Sequence, residues 1–121
     1  MKSPKHIAIL GYGVEGKSAQ RFLRATFPKA HIEVRDKKKN PEYLKGLESF
    51  DMIVRSPGVP YLLPEIQRAE KRGVIVSSVT KLFFQYAKGT VVGVTGTKGK
   101  GTTASMLLSI LKVAKKKAFL V

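Results

Sequence analysis

Two glycine-rich stretches, each following a short apolar run and preceding a helical pattern, constrain this chain more than any other feature: Gly11-Tyr12-Gly13-Val14-Glu15-Gly16 and Gly96-Thr97-Lys98-Gly99-Lys100-Gly101-Thr102. A strand that turns through glycines into a helix gathers unpaired backbone N–H groups and the positive end of the helix dipole at one point, and that point suits a phosphate. Both loops need an explanation in any functional reading.

The rest of the chain follows the same rhythm. Apolar runs at residues 6–10, 31–35, 51–54 and 74–76 read as strands. Residues 15–27 read as a helix that sets Ala19, Phe22, Leu23 and Phe27 on one face before Pro28 stops it. A charged turn runs from the second strand to Pro41, and two prolines and a glycine fix the loop Arg55-Ser56-Pro57-Gly58-Val59-Pro60. Residues 64–72 form a second helix with proline in its first turn, stopped by Gly73. Ser77 or Ser78 caps a third, with Val79, Leu82, Phe83 and Tyr86 spaced as a buried stripe. The expected fold is therefore α/β, a Rossmann-like parallel sheet with flanking helices.

Lys88-Gly89 interrupts this pattern, so residues 1–88 are expected to form one domain and residues 89–121 to open another. The second stretch reads as a strand at 90–95, the glycine loop, a helix at 102–114 with Leu107, Leu108 and Leu111 toward a core, and a strand beginning at 118–121. A chain of 121 residues has room for about one ordinary domain. The second domain is expected to be the truncated start of a P-loop ATPase domain.

Composition excludes several classes. With no cysteine there are no disulfides, thiolate metal sites or cysteine nucleophiles, and the two histidines, His6 and His31, are too few for a histidine-rich metal cluster. The apolar run 7–10 is too short for a signal peptide or a membrane span, which leads to the expectation of a soluble, cytoplasmic protein with no membrane partner. Lys plus Arg number 23 against 8 acids, a net charge of +15, and this raises the question of nucleic acid. The lysines are scattered, with short clusters only at 37–39 and 115–117, and no RNA-binding aromatic motif or helix-turn-helix pattern accompanies them. A solvated lysine surface without a nucleic-acid partner is the expectation, and its potential would favour anionic ligands.

The first loop fits two patterns at once. Gly11, Gly13 and Gly16 match G-x-G-x-x-G, while Gly11 through Gly16-Lys17-Ser18 match the P-loop expression. Glu15 would put a carboxylate against a triphosphate, whereas Asp36, twenty residues past Gly16, stands where a dinucleotide fold places an acid for a ribose hydroxyl. The nucleotide-fold reading is preferred over a bare tight turn, and NAD, FAD and a nucleotide-sugar stay open as ligands. The second loop departs from the strict P-loop expression at Val94 and Gly101. Its physics still fits: Lys98 and Lys100 supply charge, Lys100 reaches the terminal phosphates as the candidate catalytic group, and Thr102 is the nearest hydroxyl for Mg²⁺.

Residues 9–19, 54–60 and 94–100 together resemble, in order and spacing, the N-terminal domain and the opening of the central ATPase domain of the Mur ligases. That resemblance implies a UDP-bearing substrate in place of a dinucleotide. Val14 and Glu15 would present backbone amides to its diphosphate, Asp36 and Lys37 would flank the uridine, and Ser56, Pro57 and Gly58 would close the other side. Gly96, Thr97, Lys98, Gly99, Lys100, Gly101 and Thr102 would form the loop for ATP and Mg²⁺, with the substrate carboxylate phosphorylated and phosphate then displaced by an amine.

The implied substrates are UDP-N-acetylmuramoyl-L-alanine and D-glutamate, the pocket for the second lying outside this chain, which is expected to bind without catalysing. Lys98 and Gly101 replace the family's usual Asn and Thr, a pattern closer to folylpolyglutamate synthetases, which lack the N-terminal segments. Two other readings compete: a regulatory NAD(H)-binding module, which would prefer a dinucleotide to a UDP-sugar, and a basic protein that binds any polyanion in a salt-sensitive way. Residues 88–121 are expected either to pack on the first domain or to pair with another copy at an exposed sheet edge.

Overall fold

Ile7, Ala8, Ile9 and Leu10 have no solvent exposure, the state that four consecutive apolar residues imply for the interior of a parallel sheet. A computed structural model describes residues 2–120 and divides the chain into two units, Met1–Ala87 and Lys88–Val121. The first holds a four-stranded, wholly parallel sheet of β1 (His6–Leu10), β2 (His31–Arg35), β3 (Met52–Arg55) and β4 (Ile75–Ser78), in the order β2-β1-β3-β4. Ile7 lies between Ile32 and Met52, and Ile9 between Val34 and Val54. The Asp51 carboxylate accepts from the N–H groups of Lys5 and His6 at 2.8 and 2.9 Å and so fixes the start of β1.

Alternation along the strands sorts the core onto two faces. Ala8, Leu10 and Ile53 pack with Leu47, Phe50 and the inner residues Ile66 and Ala69 of α2 (Pro64–Lys71). Ile7, Ile9, Met52 and Val54 pack with Ala19 and Leu23 of α1 (Val14–Thr26) and Leu82 of α3 (Val79–Tyr86). The expected α/β class is the observed one.

Several local expectations need correction. Phe22, Phe83 and Tyr86, read as core, are 37%, 40% and 37% exposed, because two-turn α3 covers the sheet with Leu82 and, in part, Val79 only. Phe22 instead meets Tyr86 edge-on, ring centres 5.3 Å apart. The fourth strand lies further on than 74–76: Ser77 and Ser78 pair with Val54 and Arg55, since a ladder is made by backbone groups and tolerates hydroxyls. Ser78 then also caps α3, its Oγ accepting from the Lys81 N–H at 3.2 Å. The charged stretch before β3 contains a 3-10 turn at Leu47–Ser49 that buries Leu47 and Phe50.

In the unit Lys88–Val121 the one regular element among the described residues is α4 (Lys100–Val113). The strands expected at 90–95 and 118–121 do not form through residue 120, and Val121 lies outside the described residues. A strand needs a neighbour for its N–H and C=O groups, whereas a helix satisfies its own. Leu107, Leu108 and Leu111 are half-buried, and α4 buries none of its residues.

Candidate functional site

From β1 the chain runs to β2 on one side, while β3 pairs on the other, so the carboxyl ends of β1 and β3 flank the point where the strand order diverges. In open α/β sheets that crevice is where ligands bind. Gly11 leaves β1 there and Ser56 leaves β3. The Ser56 N–H donates to the Leu10 carbonyl at 2.9 Å, and the buried Ser56 Oγ donates to the Gly11 carbonyl at 3.2 Å.

The three glycines of the turn have different reasons. Gly11 takes φ +86°, in the left-handed region, and a Cβ there would stand 3.1 Å from Ser56 Cβ. At Gly16 a Cβ would come within 2.2 Å of the Gly11 carbonyl oxygen, so α1 is seated on the turn too closely for any side chain. Gly13 has neither constraint: its φ is −78° and a Cβ would meet nothing within 4 Å. The space in front of Gly13 is open, and α1 starts from it with no side-chain cap. The first N–H groups of a helix have no intrahelical partner, so those of Val14 and Glu15 head α1 at this opening.

The turn is also gripped from β2. The Gly11 N–H donates to the Arg35 carbonyl at 2.8 Å. Asp36 accepts from the Tyr12 N–H at 2.7 Å and from the Lys38 N–H at 2.8 Å. Those two bonds, that of Lys38 foremost, hold its carboxyl below the ordinary value of 3.8, aided by the charges of Lys38 and Lys39. Asp36, read from spacing as a ribose partner and from the resemblance as a neighbour of uridine, accepts a bond that holds the glycine turn in shape. A polar hollow of about 310 Å³ beside it is lined by Glu33, Arg35, Asp36, Lys39, Asn40 and Tyr43 among others.

Of the residues singled out from sequence, Ser56, Asp36 and the glycine turn come together, while Lys37, Pro57 and Gly58 are exposed on loops. Spacing did not reveal Tyr12, whose hydroxyl donates to Gln20 Oε1 at 2.7 Å and whose ring has Lys17 Nζ and Lys39 Nζ 5.8 and 5.6 Å from its centre. An aromatic residue between the first two glycines was the available signal.

The second loop is simpler. Gly99, with φ +76°, is the N-cap of α4, Lys100 is its first residue, and Thr102 follows within the first turn. Gly96, Thr97, Lys98, Gly99, Lys100, Gly101 and Thr102 are all exposed. A helix N-terminus with flanking lysines fits a phosphate chain. The metal fits less well, because Mg²⁺ is usually held through one or two carboxylates plus phosphates, and residues 88–121 contain seven lysines and no acid. The Thr102 hydroxyl stands at this loop without a carboxylate beside it in sequence. Among the described residues no three histidine or acidic side chains cluster as a metal site, and no helix is long and apolar enough to cross a membrane.

The first unit thus has the form of a nucleotide-binding α/β domain, with an uncapped helix start at its switch point. The chain is a relative of the Mur ligases, and of their D-glutamate-adding members in particular. It is 37% identical over 126 aligned positions to the UDP-N-acetylmuramoylalanine–D-glutamate ligase of Haemophilus influenzae, a match covering 91% of this chain and 28% of the relative. The enzyme of the same name from Lactiplantibacillus plantarum is 32% identical over 125 positions, 87% of this chain and 27% of the relative. That from Alkaliphilus metalliredigens is 37% identical over 83 positions, 69% and 18%. No family model matches the chain. The chain therefore spans less than a third of the length of these curated relatives.

Proposed function

We propose that residues 1–88 hold the UDP moiety of UDP-N-acetylmuramoyl-L-alanine within an ATP-dependent ligase of cytoplasmic peptidoglycan precursor synthesis. The observation that carries this reading is the junction of Gly11 and Ser56 at the switch point, beside an uncapped α1 that starts at open Gly13. The N–H groups of Val14 and Glu15 receive the diphosphate, Asp36 and Lys37 border the uridine, and Ser56, Pro57 and Gly58 form the opposite wall. The names of the relatives support D-glutamate as the amino acid added.

Residues 89–121 belong, in this reading, to the ATP-binding central domain. Gly96 to Thr102 would wrap the phosphates of ATP, Lys100 would set its charge against the terminal ones, and Thr102 would offer a hydroxyl to the accompanying Mg²⁺, for which residues 88–121 supply no carboxylate. When bound in the whole enzyme, ATP supplies the phosphoryl group that activates the substrate carboxylate as an acyl-phosphate. In this reading residues 1–121 by themselves bind the UDP ligand and do not turn over, because the segment that carries the ATP loop, residues 88–121, contains no acid to hold the metal.

Thermal unfolding with UDP-N-acetylmuramoyl-L-alanine, NADH or ATP–Mg²⁺ tests this. A ligand at 100 times its dissociation constant stabilises by about 2.7 kcal/mol. The UDP-sugar should raise the midpoint and NADH should not; stabilisation by NADH alone would favour the regulatory module. Phosphate release in the presence of both substrates and ATP should be absent, and turnover would refute the binding-only role.

A further inference from the structure

Lys17 and Lys39 come from different elements, the first turn of α1 and the turns after β2, yet their ammonium groups both lie within 6 Å of the Tyr12 ring centre. Cation–π attraction makes an aromatic face a resting place for an ammonium group. Two cations at one ring repel each other, and among the described residues neither lysine forms an ion pair. The Asp36 carboxylate accepts from the N–H groups of Tyr12 and Lys38 and feels the Lys39 charge without forming an ion pair with it. The ring itself is fixed at both ends, its backbone N–H by Asp36 and its hydroxyl by Gln20. Two positive charges, of which Asp36 offsets that of Lys39 in part, are thus collected on a rigid platform one residue before Gly13, where the space is open.

We propose that Tyr12, Lys17 and Lys39 form a cationic clamp that selects a diphosphate over a monophosphate or an uncharged nucleoside. Lys17 and Lys39 swing from the ring onto the phosphate oxygens, and Tyr12 keeps both close in the free state so that little conformational freedom is lost on binding. The clamp rests on the reading of this site as the UDP site, and it adds what that reading lacks: positive side-chain charge, since Val14 and Glu15 offer backbone amides and the Glu15 side chain is itself an acid.

The experiment is calorimetric titration of the 121-residue chain and its variants with UDP, UMP and uridine. The unaltered chain should bind UDP more tightly than UMP, and UMP more tightly than uridine. Lys17→Ala and Lys39→Ala should each weaken UDP about tenfold, as loss of a charge-assisted contact implies, with uridine little changed. Lys17→Arg and Lys39→Arg should restore UDP binding, which a merely structural role would not require. Tyr12→Ala, with both lysines present, should also lower UDP affinity, and thermal unfolding of each variant shows whether it is folded. If the unaltered chain binds UDP and the lysine variants bind it equally well, the clamp is wrong and the UDP site stands. If the unaltered chain binds no UDP, the site reading fails and the clamp with it.

Discussion

Gly16 and Gly13 make a matched pair of tests, because the same added methyl group meets backbone at one and open space at the other. Gly16→Ala should destabilise the chain by at least about 1–3 kcal/mol, as overpacking does, since the Gly11 carbonyl cannot yield without moving the turn. Gly13→Ala should leave urea denaturation unchanged and weaken UDP binding, the methyl now occupying the space a phosphate needs. Equal stability losses at both positions would contradict the open cradle. Asp36 adds a test of pH. Its folded pKa lies below the ordinary 3.8, so its contribution is complete above 3.8 and disappears as pH falls through the lowered value. Asp51, lowered by the N–H groups of His6 and Lys5, behaves alike. Acid titration of stability should therefore be shallower in Asp36→Asn than in the unaltered chain below pH 3.8. At this scale the sequence disclosed which residues matter better than what they touch. The spacing of Asp36 from Gly16 marked it, but its partner, the Tyr12 N–H, depends on how β1 and β2 lie side by side.

Between β3 and α2 the loop carrying Ser56, Pro57 and Gly58 is braced by side chains from both elements. The Arg55 guanidinium donates to the Val59 carbonyl at 3.1 Å and lies 5.6 Å from the Tyr61 ring centre. The Tyr61 hydroxyl donates to Glu70 at 2.6 Å, and Gln67 donates to the Tyr61 carbonyl at 2.9 Å. Arg55→Ala should therefore speed hydrogen exchange at the Val59 amide, which bonds to Ser56, while amides of β1 keep their protection. Leu23→Ala, by contrast, removes a fully buried side chain from under α1 and should cost about 2–5 kcal/mol in denaturant titrations. The interior strands β1 and β3 were legible because strands buried on both faces read as unbroken apolar runs. The last two residues of β4 were not, since Ser77 and Ser78 join the ladder through backbone groups alone. The 3-10 turn at Leu47–Ser49 was hidden by the charged residues around it.

Across the whole chain, charge and burial divide unevenly. All eight acidic residues precede residue 71, while residues 88–121 hold seven lysines and no acid. The helix of the second loop was legible and its two strands were not realised, for one physical reason: a helix closes its hydrogen bonds within itself and a strand waits for a neighbour. That difference also limits α4. A helix of 14 residues sits at the length where isolated helices are marginal, about 12–15 residues, and α4 buries none of its side chains to add tertiary support. Met106, Ile110 and Val113 are 60%, 62% and 84% exposed along it. Amides of α4 should therefore exchange orders of magnitude faster than those of Ile7 to Leu10, whose neighbours β2 and β3 close both edges of the strand. Protection of α4 equal to that of β1 would show that its apolar residues are covered in solution. If that protection rose with protein concentration the cover would be a second copy, and light scattering should then report a dimer favoured by salt, because screening relieves the repulsion between two lysine-rich, acid-free segments.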